Sequence, residues 1–135
     1  MRLYSTVLKL SSLIFIAVAA VHLLLGLGAD QMLGAVVPPG ALTEPSLDSQ
    51  NRFYGVAFAL YGVALYICAK DLVRFGPILK AVLAVFFLAG CARLVSWGIH
   101  GRPAPLVMGL LATELVLPPL LYLWLQKIIP SSGQS

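Results

Sequence analysis

The sequence predicts an all-α fold, a four-helix transmembrane bundle with both termini on the cytoplasmic side (N-in, C-in). Three observations predict it. Of 135 residues, 60% are hydrophobic and 10% charged, where soluble domains carry about 25% charged residues; the mean hydropathy is +0.95. The apolar residues gather into four stretches, each near the roughly 20 residues that cross a bilayer as a helix. Finally, six of the nine basic residues (Arg2, Lys9, Lys70, Arg74, Lys80, Lys127) fall at the N-terminus, the middle loop or the C-terminus, while the first loop carries Asp30, Glu44 and Asp48. Basic residues flanking spans mark the cytoplasmic side, and in a four-span chain those three places share one side.

The chain reads as one domain, residues 1–129, with spans at about 7–27, 51–69, 78–99 and 104–126, and residues 130–135 as a disordered tail. The first apolar run, Leu10 to Leu27, follows a basic N-terminus and has His22 as its one ionisable side chain. Arg2 and Lys9 resemble the start of a secretory signal, and Ala17 to Ala20 a cleavage site, but the run continues past that point, which favours a span. Gly28 to Gln50 forms the longest connection, where Pro38, Pro39, Gly40 and Pro45 block a continuous helix. Met32, Leu33, Val36 and Val37 are close to helical spacing, which suits a short amphipathic segment over the bundle mouth.

Ser46, Asp48 and Ser49 offer side-chain acceptors for the free N–H groups at the start of the second span. Asp48 stands four residues before Arg52, a spacing that allows pairing on one helix face. In the span itself, Gly55, Ala59 and Gly62 form a small-residue stripe suited to close helix contact. Tyr54, Phe58, Tyr61 and Leu65 make a parallel ridge, more in keeping with a core than with a cofactor platform. Lys70 to Pro77 is a short turn, with Pro77 suited to a helix first turn. In the third span Phe86, Gly90, Arg93 and Trp97 follow at helical spacing. His100 to Pro103 leads into the fourth, which contains Pro118 and Pro119.

Several function classes are excluded or disfavoured. The basic residues lie at span flanks without an aromatic-interleaved patch, so no nucleic-acid partner is expected. Cys68 and Cys91 are too far apart for a C-x-x-C relay and read as small apolar side chains. One in-span His and one Glu do not make a three-ligand metal site, so no metal is expected, and no cofactor is implied. Membrane lipids are the expected surroundings, and a homo-oligomer or a larger membrane complex is compatible with this size.

The residues that stand out are in-span charges. Glu114 is the only charged residue from Ala104 to Leu125, and Arg93 the only one from Ala81 to Ile99. An ionised side chain at a helix centre costs roughly 2.5–3.5 kcal/mol on insertion scales, so such groups face the bundle and find partners. At about 1.5 Å rise per residue, His22, Arg93 and Glu114 lie roughly 8, 9 and 15 Å from the outer helix ends. Asn51 and Arg52 sit at the rim. Pro118 lacks the N–H that would bind the Glu114 carbonyl, leaving a second acceptor at the same height. A buried Arg–Glu bridge that only fixes the helices, and a hydrogen-bonded core His22, account for the same residues.

The strings His22-Leu23-Leu24-Leu25-Gly26, Asn51-Arg52-Phe53-Tyr54-Gly55 and Gly90-Cys91-Ala92-Arg93, with Glu114 after them, resemble the bacterial membrane proteins grouped as domain of unknown function 4345. The resemblance covers about Leu10 to Leu125, implies four membrane helices in the bacterial cytoplasmic (inner) membrane, and supplies no activity. More loosely the chain is similar to DoxX-like four-helix membrane proteins, some of which are linked to quinone-dependent oxidoreductases, an analogy at the level of fold.

Together these features lead us to expect a small integral membrane protein that binds an amphipathic ligand, a lipid or quinone, in the outer half of the bundle. The candidate ligand-binding residues are His22, Asn51, Arg52, Tyr54, Arg93, Trp97 and Glu114. The alternatives are an intramembrane enzyme using Glu114 or His22 as general acid/base and a purely structural or accessory subunit. A transporter ranks below these, since no internal repeat is visible.

Overall fold

The structure, a computed structural model, describes residues 1–129; the tail expected at 130–135 lies outside them. Its elements are α1 (Arg2–Leu25), α2 (Leu27–Met32), α3 (Pro39–Leu42), α4 (Pro45–Lys70), α5 (Gly76–His100) and α6 (Pro105–Ile128). No strand occurs among the described residues. Four of these helices, α1, α4, α5 and α6, are long and apolar enough to cross a membrane.

The four long helices pack as two antiparallel pairs. On α1 and α4 one register runs from end to end: the Ser5 hydroxyl donates to the Ala69 carbonyl, that of Ser12 to the Gly62 carbonyl at 2.6 Å, and Arg52 to the carbonyl of Leu23. Glycines set the spacing, since a Cβ at Gly62 would lie 2.8 Å from the Ser12 carbonyl oxygen. The glycine stripe expected on this helix is thus its packing face. The α5–α6 pair is close at Gly90, where an added Cβ would meet Leu115 at 2.9 Å and Glu114 at 3.0 Å.

The second span differs from expectation at its start. Its helix begins at Pro45, upstream of 51, and the cap is Glu44, not Ser46, Asp48 or Ser49. The Glu44 carboxylate accepts from the backbone N–H of Leu47 at 2.6 Å and of Ser46 at 3.1 Å. Proline is at home in a first turn, where no N–H is needed, so Pro45 starts a helix that extends beyond the apolar run. Pro77 plays the expected part in α5. α6 continues through Pro118 and Pro119 as one helix.

The core is concentrated at one end. Tyr4, Leu8, Cys68, Leu79 and Leu125 are buried there, around a hydrogen bond from the Tyr4 hydroxyl to the Leu121 carbonyl at 3.0 Å. Trp124 meets the Tyr4 ring edge-on at 5.0 Å. The start of α1, the end of α6 and the α4–α5 turn share this end, with Lys70 over the ring of Tyr66, Arg74 over Phe75 and Lys80 over Tyr122. Toward the other end the pairs enclose space.

Candidate functional site

That space is a cavity of about 300 Å³, lined from all four long helices and from α2 and the loop after it. Its floor is apolar: Leu8, Leu65, Leu83 and Leu121. Above them Phe15 lies between Tyr61 (5.6 Å, stacked) and Phe86 (5.3 Å, edge-on), with Phe58 stacked on it at 6.1 Å. The ionisable groups, Arg93, Glu114, His22 and Asp30, stand on the same lining, farther from the Tyr4 end.

The expected ion pair is present. Arg93 Nε donates to Glu114 Oε2 at 2.7 Å, and the two side chains differ in exposure, 35% for Arg93 against 7% for Glu114. Helix register explains the meeting: Gly90 lets α6 approach at Glu114, and Arg93, one turn on, reaches across the seam. The pair keeps Glu114 satisfied while leaving part of the guanidinium toward the cavity.

A second polar station was only half legible. His22 Nδ1 is 2.9 Å from the Val18 carbonyl, which can only accept, so Nδ1 carries the proton. In the neutral ring Nε2 is then an acceptor. It lies 3.7 Å from Asp30 Oδ1. Asn51 donates its side-chain N–H to the other oxygen of Asp30; the Asn51 side-chain oxygen is buried without a hydrogen-bond partner among the described residues.

Asp30 reaches this place because the chain turns at Gly26. That residue has φ +53° and sits where a Cβ would strike the Asp48 carboxylate, so only glycine fits, and the backbone breaks α1 and starts α2 over the mouth. In the sequence Asp30 was legible as a loop charge only; a helix wheel through His22 does not bring the two together.

Of the seven expected ligand-binding residues, His22, Arg93 and Glu114 line the cavity and Asn51, Arg52, Tyr54 and Trp97 do not. Asn51 acts through Asp30. Arg52 binds Asp48 Oδ2 at 2.7 Å and the Leu23 carbonyl, which ties α4 to the end of α1. Tyr54, 61% exposed, turns outward against Phe53, because its neighbour Gly55 holds the α1 side of the helix. Trp97 is one turn beyond Arg93 and above the cavity. Of the aromatic walls, Phe58, expected from the sequence to pack the apolar part of a ligand, does line the cavity, whereas Phe15, Tyr61 and Phe86 were not among the candidates; the signal for Tyr61 was the Phe58–Tyr61 ridge.

No group of three or more His, Cys, Asp or Glu placed to hold a metal occurs among the described residues, and Cys68 and Cys91 are free.

The fold and the lined cavity define a class, a multi-pass membrane protein built as a four-helix bundle with polar groups held inside it. The chain belongs to the family described as domain of unknown function (DUF4345), whose model matches residues 3–125. No curated protein and no solved structure matches it.

Proposed function

We propose that this protein binds an amphipathic membrane ligand, a lipid or a quinone, inside the bundle. The observation that supports the reading is the shared lining: two polar stations, Arg93–Glu114 and His22–Asp30, at one end of a mostly apolar, aromatic-walled cavity. Pockets of this kind, mostly apolar with few convergent polar groups, are the usual form of small-molecule sites. Arg93 meets the polar or anionic head, Glu114 orients Arg93, and Phe15, Tyr61 and Phe86 pack the apolar part. The setting we propose is the bacterial cytoplasmic membrane with both termini in the cytoplasm, as a homo-oligomer or within a larger complex.

The test is native mass spectrometry of gently extracted protein, joined to thermal-shift titrations with phosphatidylglycerol and a short-chain ubiquinone. A ligand bound only by the folded state raises the melting temperature with concentration. Phe86→Trp, which crowds the wall, should reduce that rise. If nothing co-purifies and neither amphiphile stabilises the protein, the reading fails and a structural or accessory role remains.

A second reading, acid/base chemistry on the bound ligand, is favoured by His22 on the cavity wall, its Nε2 3.7 Å from Asp30 Oδ1. It displaces the first if a ligand is chemically changed on incubation and His22→Gln or Glu114→Gln stops the change without unfolding the protein.

A further inference from the structure

We infer that the cavity is entered sideways from the bilayer, through the seam between α1 and α6, and that its ligand is a membrane lipid whose hydrocarbon chain passes that seam. This rests on the ligand-binding reading above and narrows it to a molecule dissolved in the membrane.

Three of the four seams are closed. α1 and α4 meet at Gly55 and Gly62, with the Ser12 hydroxyl bonded to the Gly62 carbonyl. α5 and α6 meet at Gly90 and are bridged by Arg93 and Glu114. Between α4 and α5 the rings of Tyr61 and Phe86 stand 6.1 Å apart, with Phe15 filling behind them. The α1–α6 seam is closed only at the inner end, where Tyr4 binds the Leu121 carbonyl and packs on Trp124.

Farther out, Ile14 on α1 and Leu110 and Thr113 on α6 line the cavity and are exposed on the outside of the bundle as well, Ile14 at 65% and Leu110 at 36%. Residues that belong to both surfaces mark the edge of an opening.

Depth decides what lies outside it. Ile14 is near the middle of α1, so at about 1.5 Å per residue it stands roughly 17–18 Å from either helix end, in the middle of a hydrocarbon core about 30 Å thick. Water is absent at that depth. The only polar side chain of the three is quiet, since the Thr113 hydroxyl donates to the Gly109 carbonyl at 2.9 Å. An apolar slot facing acyl chains, with Arg93 and Glu114 behind it, fits a lipid with its head inside and its chain in the slot. It gives a soluble ligand no path through these lips.

The test uses the full chain in vesicles of phosphatidylcholine that carries a diazirine in mid acyl chain, followed by irradiation and peptide mass spectrometry. Lipid-facing Leu88 and Leu120 must be labelled in any case. Entry through the seam also labels Phe15 and Phe86 on the cavity wall. Thr113→Trp and, independently, Leu110→Trp should reduce the Phe15 and Phe86 label severalfold and leave Leu88 unchanged. Label confined to Leu88 and Leu120, unchanged wall label in both tryptophan variants, or a crosslink at Ile14 to a second copy that covers the seam would each overturn the inference. If the wall stays unlabelled while amphiphiles still stabilise the detergent-extracted protein, the route fails and the binding reading stands; if neither occurs, both fail.

Discussion

Gly55 of α4 lies so close to His22 of α1 that a methyl group in place of its hydrogen would strike the His22 Cβ. This contact fixes the height at which the imidazole enters the cavity, and with it the distance to Asp30. Packing of two helices and placement of a titratable group are therefore one event.

Gly55→Ala should destabilise the protein by about 1–3 kcal/mol, the usual cost of overpacking, and weaken ligand stabilisation through displaced His22. Gly98, in α5, has open space around its Cβ position. Gly98→Ala should be neutral or stabilising by about 0.4–1 kcal/mol, because alanine restricts the unfolded chain more than glycine does. Melting of the two variants in the same detergent separates them; equal losses would contradict this packing.

Arg93 and Glu114 should behave as coupled partners. Removing one member of a buried pair costs about 3–5 kcal/mol when the other is left uncompensated. The cost here should be unequal: Arg93→Leu strands Glu114, 7% exposed, whereas Glu114→Leu leaves an arginine that is 35% exposed and can turn toward the cavity. Arg93→Leu should be the more harmful single change, and the double change milder than Arg93→Leu alone. A double-mutant cycle read by thermal unfolding checks this, and strictly additive losses would sink the pairing.

Glu44 should contribute acid-sensitive stability. The Leu47 N–H, then the Ser46 N–H, hold its carboxyl below the ordinary glutamate range. A carboxylate with a folded-state value lower than its unfolded one stabilises the fold above the unfolded value, about 4.3, and loses that contribution as pH falls through the folded value. Melting temperature against pH should fall less steeply below that point in Glu44→Gln than in the parent chain, with the two curves parallel near neutrality. Identical acid limbs would show that the cap does not form.

Topology is decided by labelling. Single cysteines at Glu44 and at Lys70, in a background lacking Cys68 and Cys91, should react from opposite sides of intact membranes, Lys70 from the cytoplasm. Reaction from the same side would overturn the N-in, C-in orientation.

Much of this was legible along the chain. Hydropathy determines four spans because backbone polar groups in a bilayer must be satisfied within a helix. The isolation of Arg93 and Glu114 foretold their pairing, since lone charges in apolar spans have few other partners, and the Gly55–Gly62 stripe foretold the face that α1 covers. The start of α4 was less legible, because Pro45 and Glu44 initiate a helix before its apolar run begins. Tertiary structure alone decided the rest. Asp30 meets His22 only because Gly26 turns the chain back over the mouth; Tyr54 and Trp97 miss the cavity by a fraction of a turn or by one turn. The cavity itself belongs to no segment: it exists because two glycine-matched helix pairs close tightly within themselves and meet each other at the Tyr4–Leu121 end and across the rings of Phe15, Tyr61 and Phe86, and spacing within one helix carries no information about the gap between pairs.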